Sequence, residues 1–237
     1  MSPRDSNFDQ KERFNRMMDF TKLVIKKAEM SLAYREDGLK FETHPAFDVI
    51  RMLGRKVQTH CLIETLYVED ETENTIITPS DLLFDTDIAL SKDGKSINDL
   101  KRKVESTRHV HLGRDLILPY PWRRTRLINC IATIGEARLQ GSWQQDQNNH
   151  FVELWLPLGI AWVHGGNHSI ATGVLQGMGK ILPESVYDIS DVYKYVYTDG
   201  EYYFSKESGG ILSEVQNVEF AVIFEIGRLM NEMLIHY

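Results

Sequence analysis

GIAWVHGGNHSIATGVLQGMGKI, residues 159–181, is the stretch on which the reading of this chain turns. Its first part, Gly159–Val163, is short, apolar and bounded by glycine, as a buried strand would be. His164-Gly165-Gly166 breaks the run. Asn167-His168-Ser169 then leads into small and apolar residues at helical spacing, which stop at Gly177 or Gly179. Gly165 and Gly166 can take positive φ at no steric cost, and Asn167 or Ser169 can cap the helix. The first N–H groups of such a helix lack intrahelical partners and carry partial positive charge, so the turn suits a phosphate or carboxylate. The same residues also serve a purely architectural strand-to-helix turn, but a cap needs one polar side chain and three stand here, with His164 just before them. The candidate phosphate-binding residues are therefore Gly165, Gly166, Asn167 and Ser169. His168 is the candidate catalytic group, as hydrogen-bond donor or acid–base, because imidazole titrates near neutrality. His164 is an auxiliary candidate.

Working outward, HFVELWLPL (150–158) reads as a strand, with Asn149 and His150 as exposed polar candidates at its start. GSWQQDQNN (141–149) reads as a polar loop. PWRRTRLINCIATIGEARL (121–139) reads as a helix opened by Pro121, with Leu127, Ile128, Cys130, Ile131 and Ile134 on one apolar face. Arg123, Arg124 and Arg126 crowd its start, where cations oppose the helix dipole unless an anion lies between. Arginine's planar fork matches phosphate, so Arg123 and Arg124 join the candidate phosphate contacts. Trp122 reads as a core anchor.

The N-terminal third reads as helical. Phe14, Met17, Met18, Val24, Ile25, Ala28 and Leu32 recur at helical spacing between Phe8 and Tyr34, closed by Asp37-Gly38. Pro45 opens a second helix toward Leu66, ended by Glu69-Asp70-Glu71. Ser80 or Asp81 can cap a short helix in TPSDLLFDTDIAL, and NDLKRKVEST (98–107) reads as another. HVHLGRDLILPY (109–120) has strand character and KILPESVYDI (180–189) is extended. DVYKYVY reads as a helical turn, YTDGEYYF as a hairpin with Asp199-Gly200 at its tip, and Val215–Ile235 as an amphipathic helix. The expectation is an α+β fold: a helical region, 1–106, packed on a mixed-sheet domain, 107–237.

Strand, glycine turn, polar residues including His, and a small-residue helix together resemble the signature box of the ParB/sulfiredoxin-like superfamily, over Leu158–Ile181. That resemblance implies a mixed-sheet domain whose turn holds nucleotide phosphates. Reductase members carry a Cys in the turn, and none stands between Trp162 and Gly173. Partition members carry Arg where His168-Ser169 stand, and a helix-turn-helix afterward where this chain has an extended segment. NHSIATG, PWRR and YTDGEYY also resemble an uncharacterised bacterial domain family, which implies no activity.

Composition narrows the partners. A formal charge of −7 over 237 residues argues against broad, non-specific DNA binding. No apolar run approaches the roughly 20 residues of a membrane helix, and MSPRDSNFDQKERF lacks a secretory core. Cys61 and Cys130 sit far apart within apolar patterns and read as buried thiols, so the expected compartment is the cytoplasm. No metal site is expected: His109 and His111 share a strand face, but His164 and His168 are separated by the glycines and nothing completes a ligand set. Ser169 lacks a nucleophile-elbow context. Asp199 and Glu201 are auxiliary candidates as metal ligand or general base. These readings converge on a nucleotide- or nucleic-acid-phosphate-binding protein, with a nucleotide and Mg²⁺ as cofactor and phosphotransfer, nucleotide hydrolysis or nuclease action as chemistry. The alternative is a non-enzymatic, antitoxin-like or defence-type protein whose N-terminal helices bind a partner.

Overall fold

The computed structural model describes residues 8–33, 43–67 and 77–237. The N-terminal stripe forms α1 (Gln10–Ala33), with Phe14, Met18, Ile25 and Ala28 buried at the three-, four- and seven-residue spacings of one helix face. Pro45 precedes α2 (Ala46–Glu64), which buries Val49, Ile50, Leu53, Val57 and Cys61. Asp37-Gly38 and Glu69-Asp70-Glu71 lie outside the described residues. α3 (Pro79–Leu82) is a single turn that contains Ser80 and Asp81 rather than being capped by them. The Ser80 hydroxyl instead accepts the Thr86 N–H at 3.2 Å.

Residues 98–107 do not form the expected helix. α4 (Ile97–Leu100), held by a Ser96/Asp99 capping box, stops after one turn, and the chain becomes β1 (Arg102–Lys103). β1 pairs with β7 (Ser185–Asp188), so ladder hydrogen bonds override the helical propensity of the Lys/Arg run. Among the described residues there are seven α-helices and mixed sheets, a mixed α/β architecture. No described helix is long and apolar enough to cross a membrane.

The chain divides into two units, each assembled from separated segments. The division nearest residue 106 falls between Lys101 and Arg102, and the unit that holds α1 also takes Ile189–Tyr237.

That first unit has α7 (Val218–Glu232) as its core. Every residue from Val218 to Gly227 is buried, so the helix is not the amphipathic one expected. Its acidic residues are tolerated inside because they are paired. Glu219 meets Arg13 at 2.9 Å, and Glu225 accepts the Thr198 N–H at 3.0 Å and bonds Arg228. Phe224 packs its ring against Phe84, Tyr193 and Tyr203. A 3₁₀ turn (Ser190–Lys194) leads into a three-stranded antiparallel sheet, β8 (Val196–Thr198), β9 (Tyr202–Ser205) and β10 (Ile211–Glu214). The β8–β9 turn carries Gly200, as expected.

The second unit contains the quoted stretch. Its five-stranded sheet runs β1-β7-β4-β5-β3, with β3 (Leu116–Leu118), β4 (Val152–Leu156) and β5 (Ile160–Val163). β3 and β5 are parallel, in register Leu116↔Ile160 to Leu118↔Trp162. β4 is antiparallel to β5 and parallel to β7. A separate pair joins β2 (Val110–His111) to β6 (Lys180–Ile181). The outer edge of β3 is covered by the C-terminal part of α2, where Gln58 donates to the Ile117 carbonyl at 2.6 Å. Such a donor satisfies an edge carbonyl that would otherwise be buried alone. Thr65 likewise donates to the Pro121 carbonyl at 2.7 Å, fixing the chain as it leaves β3.

Candidate functional site

Because β3 and β5 are parallel neighbours, both leave the sheet at the same end. β3 passes through Pro119–Arg123 into α5 (Arg124–Thr133), and β5 passes through His164-Gly165-Gly166 into α6 (Asn167–Gln176). Two helix starts therefore stand side by side beyond the carboxyl ends of two strands, where open α/β sheets bind ligands. Neither first turn contains an acidic residue, and neither N-cap, Arg123 nor Gly166, gives its helix a side-chain cap. Between them lies a cleft of about 610 Å³, walled by Trp122, Thr125, Arg126 and Asn129 from one side and Gly165–Ser169 from the other.

The two glycines act differently. Gly166 is the N-cap of α6 and adopts φ +76°, a conformation that costs other residues about 1–2 kcal/mol. A Cβ there would also lie 2.2 Å from His150 Cδ2. Gly165 is required for space alone: its Cβ would meet Phe151 Cδ2 at 2.5 Å and the Asn149 carbonyl at 2.8 Å.

Neither expected capping residue caps α6. Asn167, buried, accepts the Tyr120 N–H at 3.0 Å and so ties the two strand exits together. The Ser169 hydroxyl donates to the Gly166 carbonyl at 3.0 Å.

His168 is 8% exposed, and its Nε2 accepts the Arg123 N–H at 3.0 Å. A backbone N–H can only donate, so Nε2 is unprotonated and Nδ1 carries the proton. Among the described residues Nδ1 has no recorded acceptor, and the ring forms part of the cleft wall. Burial, with Arg126 and Arg123 nearby, pushes the His168 pKa down to about 4. At neutral pH the ring is an uncharged donor whose one lone pair is spent on Arg123. Trp122 meets it edge-on at 5.5 Å.

His150 and Ser169 stand 2.6 Å apart, Nε2 to Oγ, at the spacing of a nucleophile–base pair. Their protons run the wrong way. The Asp146 N–H donates to His150 Nδ1 at 2.9 Å, so the neutral ring carries its proton on Nε2 and donates to Ser169, which donates onward to Gly166. Burial lowers the His150 pKa and keeps the ring neutral. Trp143 stacks on His150 at 5.0 Å and donates Nε1–H to the Ser169 carbonyl at 2.8 Å. The chain Asp146–His150–Ser169–Gly166 braces the turn from behind.

The expected residues are distributed unevenly. Gly165, Gly166, Asn167, His168, Ser169 and exposed His164 all line the cleft. Arg123 contributes its N–H to His168 and sets its guanidinium 5.4 Å from the Trp122 ring centroid. Arg124, the first residue of α5, is exposed and is not part of the wall. Arg126 is, and it too lies 5.4 Å from the Trp122 centroid. α5 starts at Arg124 rather than Pro121 because Arg123 remains extended, with its N–H on His168. Its apolar face is also narrower than expected: Leu127 and Ile134 are buried, whereas Ile128 and Ile131 are exposed and Cys130 is half-buried in the cleft wall. Asp199 and Glu201 belong to the other unit, where both bind Lys11, at 2.8 and 3.0 Å. Among the described residues no group of three or more His, Cys, Asp or Glu is arranged to hold a metal.

Asn129 and Gln140 line the cleft without having been singled out from the sequence. Asn129 was legible, standing three residues after Arg126 on the same helical face. Gln140 was not, because it arrives on a turn whose path local pattern does not specify. Trp143, within a segment read as a polar loop, is buried and anchors the brace.

Residues 3–237 match the model of a family of unknown function, DUF6710, and the chain belongs to that family. Comparison with curated proteins and with solved structures gives no match.

Proposed function

We propose that this DUF6710 member binds the phosphate of a nucleotide or nucleic acid in the cleft where α5 and α6 begin. The observation that carries the reading is convergence: two helix starts without acidic residues, and nine-tenths-buried His168, border one cavity. Uncapped N–H groups and their dipoles favour an anion, and Arg126 adds a full charge with fork geometry suited to phosphate oxygens. Trp122, half-exposed in the cleft wall with the Arg123 and Arg126 guanidinium groups each 5.4 Å from its ring centroid, makes that wall both aromatic and cationic. Among the described residues no carboxylate lines this cleft, so a Mg²⁺ ion would arrive on the phosphates. The likeness of the turn to the ParB/sulfiredoxin-like box belongs to this proposal and rests on the strand, glycine turn and small-residue helix alone. In this reading His168 is a hydrogen-bond donor to the ligand, and any phosphotransfer, hydrolysis or nuclease step would need a base supplied from elsewhere.

Thermal unfolding with each nucleoside diphosphate, with inorganic phosphate and with short single-stranded DNA and RNA, with and without Mg²⁺, tests it. A ligand at 100 times its Kd adds about 2.7 kcal/mol to stability and raises Tm. Arg126→Ala should weaken binding roughly ten- to hundredfold, the loss expected for a charge-assisted hydrogen bond. Unchanged melting across the whole panel rejects the proposal.

A second reading, a protein-binding surface on the N-terminal helices, draws on one feature. α1 and Pro45 form an apolar hollow of about 460 Å³ bordered by Phe20 and Leu23, which are 51% and 62% exposed. Co-purification of a stoichiometric partner that Leu23→Glu releases would favour it over the phosphate reading.

A further inference from the structure

Beside the phosphate cleft lies a second hollow, of about 270 Å³. The two share Ile134, Gln140, Asn149 and Ser169, so they meet at the first turn of α6. The second is lined by groups of a different chemistry. Ser142, Gln144 and Asn149 present a hydroxyl and two amides for which no hydrogen-bond partner is recorded among the described residues. Asp146 adds a carboxylate that spends Oδ1 on the Asn148 N–H, at 2.9 Å. His150 supplies only a wall, since both its ring nitrogens are engaged. Trp143 is buried with its face against His150 and is not open for a base to stack on.

This lining selects. A carboxylate opposes a second phosphate and accepts readily from hydroxyl groups. Amides and a hydroxyl both donate and accept, as each hydroxyl of a polyol does. Trp122 and Arg126 lie in the first hollow, Ser142, Gln144 and the Asp146 carboxylate lie in the second, and Gln140 and Asn149 border both. We propose that the ligand carries its phosphate in the middle: a nucleoside diphosphate esterified to a hydroxyl-rich group such as a sugar. The base and phosphate occupy the first hollow, and the sugar passes Ser169 into the second. The inference rests on the phosphate reading of the cleft and adds what lies beyond the phosphate.

Titration calorimetry on the full chain separates the two. The probes are UDP, ADP and GDP against UDP-glucose, ADP-ribose and GDP-mannose, with the dinucleotide UpA as a phosphodiester between two nucleosides that has no sugar joined through a diphosphate. At least one conjugate should bind about tenfold or more tighter than its parent diphosphate, a difference of 1.4 kcal/mol. Gln144→Ala and Ser142→Ala, both at exposed positions, should erase that gain and leave the parent's affinity unchanged. Arg126→Ala should weaken parent and conjugate alike. Parents that bind as tightly as their conjugates overturn this inference and leave the phosphate reading standing. UpA binding more tightly than every conjugate overturns the sugar assignment in favour of nucleic acid. If no probe binds, both readings fall together.

Discussion

Ser169 Oγ lies 2.6 Å from His150 Nε2, and the imidazole is the donor. The contact has the spacing of a catalytic dyad and the opposite proton order, so it makes a mechanical prediction rather than a chemical one. Ser169→Ala should leave nucleotide affinity within a few-fold of wild type and lower unfolding stability by about 1–3 kcal/mol, the cost of stranding a buried donor. Urea unfolding and calorimetry on the same preparation check both halves. A variant of normal stability that had lost a measurable turnover would place Ser169 in the chemistry instead.

Gly166→Ala should be worse than an ordinary surface change. The φ of +76° and the 2.2 Å approach to His150 act on the same atom, so the backbone cost of about 1–2 kcal/mol is joined by displacement of the His150 ring. The expected loss is about 2–4 kcal/mol in total, with ligand binding weakened because the first turn of α6 must shift. Gly165→Ala, which lacks the positive φ, should lose binding through crowding of Phe151 and Asn149.

His168 predicts a pH dependence with a definite sign. Its folded-state pKa, about 4, lies below the ordinary 6.5, so between those values the unfolded chain binds more protons and stability falls as pH falls. The contribution is complete above pH 6.5 and is lost progressively toward pH 4, at most about 1.4 kcal/mol per pH unit. His150 is shifted in the same direction, and a variant isolates the His168 share. Denaturant titrations from pH 4 to 8 should show a shallower decline for His168→Gln than for wild type. Parallel curves would count against the buried, neutral assignment.

The cysteines give a readout of the cleft. Burial, with Glu64 nearby, pushes the Cys61 thiol up to about 12, and burial raises half-buried Cys130 despite Arg126 nearby. Thiolate is the reactive form, so Ellman's reagent should label Cys130 slowly and Cys61 not at all in the folded protein, and both quickly in denaturant. A nucleotide in the cleft should slow Cys130 labelling further. Equal native rates for the two thiols would contradict the burial described.

The strand–turn–helix at residues 160–176 was legible because each step has a local cause: an apolar run, paired glycines, and a small-residue helix closed by Gly177. The site was legible only in part, and the missing part is long-range. Nothing local specifies that Leu118 pairs in parallel with Trp162, yet that register sets the two helix starts side by side. Without it, Arg124 and not Arg126 is read from the sequence as the anion contact. The reach of Arg123 to His168 decides between them, by keeping Arg123 extended and so setting where α5 begins. α7 misled for a related reason. Glu219 and Glu225 imply a solvated face until Arg13, Arg228 and the Thr198 amide are seen to meet them. Strand β1 shows the same override, since Arg102 and Lys103 favour helix until β7 offers a ladder.

The burial of α7 also bears on synthesis at the ribosome. α1 packs against α7, but its stripe of Phe14, Met18 and Ile25 is translated long before that partner exists. Throughout elongation the stripe stays wet and adhesive, while the strands that lead into α5 and α6, all encoded upstream of α7, can already pair. Nascent chains stalled ahead of residue 218 should therefore recruit holdase chaperones through their N-terminal helix.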